Sequence, residues 1–238
     1  LVKASNSINR TELEKAMANI IIAKDLAIDY ADRISRARTN MALAKLYREL
    51  GDSEKAEEEI LNAIRIQTED KYNSSLAYSK LIYASIAIEL DKFEIAKNSL
   101  NEAELISTKE YNKELEGAIK LYRGLLELEQ ENPKKAIAYF NSALPIINSL
   151  NQSYFKAKLY VNKARAQLAS NQLQDAIDTN ALAIQIAKEN GYTEVVSDCY
   201  KLYSKIYETK NDHKTSLYNL KLHQKVKDSL FNINKEII

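Results

Sequence analysis

Glycine and proline are nearly missing from this chain, at 4 and 2 of 238 residues, where average usage would supply about 17 and 12. Gly-rich phosphate loops, dinucleotide-binding turns and most sheet folds need glycines that are not here. The shortage excludes chemistry built on such turns and points to an all-helical chain. Tryptophan is absent, and Cys199 is the single cysteine, so no intramolecular disulfide forms. No apolar run approaches the ~18 residues of a membrane helix; the run Ile20-Ile21-Ile22 is bounded by Asn19 and Lys24. No secretory leader is visible. An excess of either charge is missing too. Lys plus Arg is 34 against 33 acids, a net of +1, which argues against a general nucleic-acid binder. With 45% hydrophobic and 28% charged residues, the chain is too apolar for disorder.

What is present repeats. Ala16, Ala56, Ala96, Ala136 and Ala176 stand 40 residues apart, with Ser216 next in the series. A second column runs Ala23, Ala63, Ala103, Ala143, Ala183 and His223, and a third Ala4, Ala44, Ala84, Gly124, Ala164 and Ser204. General alanine enrichment explains the count but not the spacing. Larger residues keep step: Ile20, Ile60, Leu100, Phe140 and Leu220 share a column interrupted by Asn180, and Met41, Leu81, Leu121 and Val161 share another.

Each unit holds two helical stretches. Leu43, Tyr47 and Leu50 share a face of one, and Ala56, Ile60, Ala63 and Ile64 share a face of the next, at the offsets of three and four that mark the α-helix. Turn signals recur in phase at Gly51-Asp52, Asp91, Asn132-Pro133, Asn171 and Asn211-Asp212, with Gly191 as a further helix end. Thr11-Glu12-Leu13-Glu14 reads as a capping box, Asn132 as an N-cap before Pro at the first helical position, and Pro145 as a residue that ends or kinks its helix. Small columns let paired helices approach, while Ile, Leu, Phe and Tyr fill the gaps between units. No single pair buries both its faces, so the units must stack.

The pattern resembles the tetratricopeptide repeat, whose first helix carries L-G-x-x-Y and whose second carries A-x-x-x-F-x-x-A. The second unit supplies Leu43, Ala44, Tyr47, Gly51, Ala56, Ile60 and Ala63, the fourth Gly124, Ala136, Phe140 and Ala143, and the sixth Tyr200, Tyr203, Ser204, Tyr207, Ser216 and Leu220. The period is 40 rather than 34, and the proline that usually closes the second helix is missing. The resemblance implies an all-α superhelical solenoid of about six antiparallel helix pairs. The expected organisation is a single repeat domain over 1–238, with units at 1–36 (partial), 37–76, 77–116, 117–156, 157–196 and 197–238. Lys225 to Asn232 is similar to the end of the repeat arrays of bacterial signalling proteins. Read from the residues alone it is a capping helix, with Leu217, Leu220, Val226, Leu230 and Phe231 on its buried side. The first unit keeps a remnant of its first helix, Leu1 to about Ser7, and apolar periodicity continues at Ile233 and Ile237, so the expectation is a fragment of a longer protein.

Catalytic signals are weak. His213 and His223 lie ten residues apart, about 280° around one helix, so they do not share a metal from that helix. Cys199 reads as a packing residue and Glu57-Glu58-Glu59 as a solvated face. Tyr200, Tyr203 and Tyr207 form a stripe best read as core. The sequence implies no cofactor, no metal and no enzyme.

The resemblance places ligands along the face lined by the first helices. Matching positions are Arg38, Lys45 and Arg48, then Tyr78, Leu81 and Ser85, then Leu121 and Leu125, then Lys158, Asn162 and Arg165, and finally Lys201 and Lys205. These suggest a groove with an apolar middle and basic flanks, suited to an extended acidic peptide; ordinary solvated charges on a solenoid are the alternative for any one of them. Residues 51–70 carry a net of −5 and residues 201–227 a net of +5, a basis for self-association. The resulting expectation is a non-catalytic protein- or peptide-binding scaffold in a bacterial signalling protein, with no nucleic acid bound and no membrane contact within this stretch. It would be periplasmic in a membrane-anchored protein or cytoplasmic. A cytoplasmic peptide-sensing regulator is the first rival and a helical-repeat RNA reader the second; the 40-residue period and the charge of +1 weigh against the latter.

Overall fold

The computed structural model describes the backbone of residues 2–237, and side chains at Lys15 and across 17–229 except Glu49. The described residues form eleven helices and no strand. Helix α1 spans Val2–Asp29; then follow α2 (Arg33–Glu49), α3 (Ser53–Glu69), α4 (Asn73–Glu89), α5 (Phe93–Lys109), α6 (Lys113–Glu129), α7 (Pro133–Ser149), α8 (Ser153–Ala169), α9 (Leu173–Glu189), α10 (Thr193–Thr209) and α11 (His213–Ile237). From α2 to α10 every helix has 17 residues, and each is joined to the next by a three-residue linker. The 40-residue repeat is therefore two 20-residue half-repeats with one turn geometry.

That turn has a single cause. The central residue of all ten linkers has positive φ: Gly51 and Gly191, Asn151, Asn171 and Asn211, Asp91, and also Ala31, Lys71, Tyr111 and Glu131. A left-handed residue just past a helix lets the following N–H reach back to the last turn. Asp52 N–H bonds the Tyr47 carbonyl at 2.8 Å, Lys92 that of Ala87 at 2.8 Å, and Asp212 that of Tyr207 at 2.9 Å. The same third linker residue is the N-cap of the next helix. Asp32, Asp52, Asn112 and Asp212 accept there from the backbone N–H three residues on. One residue thus closes one helix and opens another.

The chain divides into two compact units, Leu1–Tyr111 with Asp228–Ile238, and Asn112–Lys227. In the first, α2 pairs with α3 and α4 with α5, α1 lies on α2, and α3 on α4. Ala44, Ala56, Ala63, Ala84, Ala96 and Ala103 are wholly buried, as are Ile60 and Leu100. In the second unit α6 pairs with α7 and α8 with α9, successive pairs pack, and α8 touches both α6 and α10. Its core holds Ala136, Ala143, Ala164, Ala176, Ala183 and Phe140. Hydrogen bonds between Ser204 and Ser216 (3.1 Å) and between Ser197 and His223 (2.9 Å) tie α10 to α11.

Paired columns adjust to each other in volume. The small position faces the large one, and where the large residue is Phe140 the small one is Gly124. A Cβ at Gly124 would lie 2.6 Å from a Phe140 ring carbon. Elsewhere Ala44 packs in one cluster with Ile60.

Several expectations are corrected. Helix α1 runs unbroken through Thr11, so no helix starts there and the first unit has no separate remnant helix; nothing between Val2 and Asp29 supplies a turn. Side chains 1–14 and Ala16 lie outside the described residues, and Ala23 is exposed. Pro145 sits inside α7 without ending it. It is on the exposed side one turn from the C-terminus, where the carbonyl left without its N–H partner is open to water. Asn132 stands at the N-cap before Pro133 but makes no side-chain cap bond. Leu217 and Leu220 are 52% and 47% exposed, because Asn219, not either leucine, faces inward on α11. Leu230, Phe231, Ile233 and Ile237 lie outside the described side chains.

Candidate functional site

The candidate residues fall on the first helix of each pair, and the structure gives them different roles. In the first unit Arg38 and Lys45 are exposed. Arg38 lines a shallow cleft with Ile34, Gln67, Tyr72 and Ser74. Arg48 lies inside the unit instead. Its guanidinium donates to Ser85 Oγ at 2.6 Å and stands 3.7 Å from Glu89, with 7% of the side chain exposed. Ser85 is buried and donates its own hydroxyl hydrogen bond to the Ile82 carbonyl at 2.7 Å. Arg48 and Ser85 therefore bind α2 to α4. Tyr78 is half-buried and Leu81 buried.

In the second unit Leu121 is wholly buried and offers no surface to a ligand, while Leu125 is half-buried. Residues of α8 and α10 come together. Val161, Asn162 and Arg165 from α8, and Asp198, Lys201, Leu202 and Lys205 from α10, line a cleft of about 170 Å³. Helical spacing explains the grouping: Asp198, Lys201 and Lys205 are at i, i+3 and i+7, and α8 presents 158, 162 and 165 in the same way.

The side chains along α8 are held. Lys158 is buried, pairs with Glu194 at 3.1 Å and lies 5.4 Å over the Tyr154 ring. Tyr154 donates its hydroxyl to the same Glu194 at 3.3 Å. Asn162 donates to the Lys158 carbonyl at 2.9 Å and accepts from Arg165 at 2.9 Å, and Arg165 also reaches Glu129 at 2.8 Å. Lys201 and Lys205 extend from the exposed side of α10.

Asp198 is the residue the sequence reading missed. It is half-buried and lines the cleft, and burial, then the nearby Glu194, pushes its carboxyl up to about 6 against attraction from Lys158, Arg165 and Lys201. The available signal was its column. It stands 40 residues after Lys158, but a search for bases passes over an acid.

Other titratable groups play structural parts. Cys199 is wholly buried, and burial raises its thiol above the ordinary range. Burial lowers His223, opposed by its bond to the Ser197 backbone. Burial raises Tyr203 to about 12; it packs on the Cys199 cluster beside Tyr207, with ring centroids 6.2 Å apart. Among the described residues no three of His, Cys, Asp and Glu gather into a metal-binding group, and no helix is long and apolar enough to cross a membrane.

Residues 37–70 match the family model of the tetratricopeptide repeat, a span that contains most of α2 and all of α3. No curated protein matches the chain by sequence. Among solved structures, a Rap protein complexed with competence and sporulation factor is similar at 13% identity and a TM-score of 0.73, over 95% of this chain and 73% of that one. BtubC (BKLC) from P. vanneervenii is similar at 18% identity and TM-score 0.61, over 92% of both chains. Aspartyl phosphate phosphatase F from Bacillus subtilis is similar at 16% and 0.61, over 90% of this chain and 64% of that one. At these identities the likeness is one of fold. With a matched repeat at 37–70 inside a series of like helix pairs, the chain is an all-α helical-repeat protein of the tetratricopeptide-repeat type.

Proposed function

We propose that the chain is a non-catalytic scaffold that binds protein or peptide along its first helices, as the sensory or interaction region of a bacterial signalling protein. The observation that carries this reading is the α8–α10 cleft, whose outer wall presents Lys201 and Lys205 while Arg165 is fixed by Glu129. Fixed groups give the cleft a set shape, and exposed lysines at the rim attract acidic groups. Support also comes from the similar Rap protein, which was solved with competence and sporulation factor bound.

The test is fluorescence anisotropy on the whole chain with a fluorescein-labelled, acetylated peptide of alternating Glu and Ala. Lys201→Glu with Lys205→Glu weakens binding at least tenfold and leaves the far-ultraviolet circular dichroism unchanged. Equal affinity in the double variant overturns the assignment of the cleft.

A further inference from the structure

Asp198 has no place in a groove meant only for acids. It lines the cleft yet makes no hydrogen bond or ion pair with any described residue, although Lys158, Arg165 and Lys201 all act on it electrostatically. Two of those bases are committed elsewhere, Lys158 to Glu194 and Arg165 to Glu129 and Asn162. A carboxylate partly withdrawn from water without a donor is costly, and a donor brought by a ligand removes that cost. The two rim lysines likewise pair with no acid among the described residues.

We propose that the α8–α10 cleft binds a mixed-charge peptide segment, seating a cationic side chain on Asp198 and an acidic side chain of the same peptide between Lys201 and Lys205. This rests on the peptide-groove reading and narrows it from acidic peptides to those with a base near the acid. Spacing sets the separation. From Asp198 to the midpoint of Lys201 and Lys205 is five residues of helix, about 7.5 Å along the axis. Alternate residues of an extended peptide are about 6.6 Å apart. A base and an acid separated by one residue therefore span the site.

The experiment compares three fluorescein-labelled, acetylated probes with Gly-Ser flanks and the centres Lys-Ala-Glu, Gln-Ala-Glu and Glu-Ala-Glu. The wild-type chain binds Lys-Ala-Glu at least tenfold more tightly than Gln-Ala-Glu, and Asp198→Asn abolishes that preference. Lowering the pH from 7.5 to 5 weakens Lys-Ala-Glu binding as Asp198 takes up a proton, and strengthens Glu-Ala-Glu binding. The charged groups around Asp198 are Lys158 and Arg165 on α8, Glu194 and Lys201 on α10, Lys205 across the cleft, and Glu129 on α6 beyond Arg165; His223 on α11 bonds the adjacent Ser197. The pH dependence left in Asp198→Asn belongs to the other groups and is subtracted. Equal binding of Lys-Ala-Glu and Gln-Ala-Glu by the wild type overturns the proposal, as does an unchanged preference in Asp198→Asn. If Glu-Ala-Glu still binds and still depends on Lys201 and Lys205, the wider groove reading survives that result. If no probe binds, both fail.

Discussion

Gly124→Ala tests the volume matching between helices. The added methyl would stand 2.6 and 2.8 Å from two carbons of the Phe140 ring, well inside van der Waals contact. Phe140 is wholly buried, so its ring has no solvent side to retreat to. Overpacking of this kind costs about 1–3 kcal/mol, while exchanging Gly for Ala inside a helix returns about 1 kcal/mol. The expected net loss is up to about 2 kcal/mol. Phe140→Leu alone opens a void beside Gly124 and costs about 1–2 kcal/mol. The double variant recreates the pairing at Ala84 and Leu100, both wholly buried in the same columns, so the two losses should not add. The coupling energy is favourable by about 1–3 kcal/mol. Urea unfolding followed by circular dichroism measures all four proteins, with the two compact units fitted separately. Additive losses in the double variant, or a Gly124→Ala protein more stable than wild type, would refute the reasoning.

Two further predictions concern groups of the second unit that are withdrawn from water, Asp198 in part and Cys199 wholly. The folded-state Asp198 carboxyl is raised to about 6 from an ordinary 3.8, so its contribution to stability is fullest below about pH 4 and is lost as pH rises through 6. Asp198→Asn therefore stabilises the protein at pH 7.5, by about 1–2 kcal/mol, and thermal melts should show the gain shrinking between pH 6.5 and 4; a constant gain contradicts the burial argument. Cys199, with its raised thiol and no exposed surface, should resist a thiol-specific reagent at pH 8 in the native protein and react fully in denaturant; fast native labelling would place it elsewhere.

The repeat was legible because alanines at fixed spacing are demanded by close helix approach. The 20-residue half-repeat was not, because its linkers do not demand fixed residue types. A left-handed residue favours Gly or Asn, yet Lys71, Tyr111 and Glu131 also adopt it, and the shared hydrogen-bond pattern carries them. Lys201, Lys205, Asn162 and Arg165 were identified from column position and do meet in space. Arg48 and Leu121 share that phase but face neighbouring helices, a difference of side-chain direction that spacing alone does not resolve. The acidic excess of 51–70 also looked available for a partner. Much of it is neutralised within the first unit, where Lys92 pairs with Glu57, Lys24 with Glu59, and Arg33 with Glu69 and Asp70.

The uniform linkers have a mechanical consequence. Each helix pair from α2–α3 to α8–α9 is a link of equal length, joined to its neighbours in series, so a pulling force meets the same kind of resistance again and again. Each pair that gives way releases about 140 Å of extended chain at about 3.5 Å per residue. A force–extension trace should show steps of one recurring size, and their spacing would read out the repeat as a ruler does.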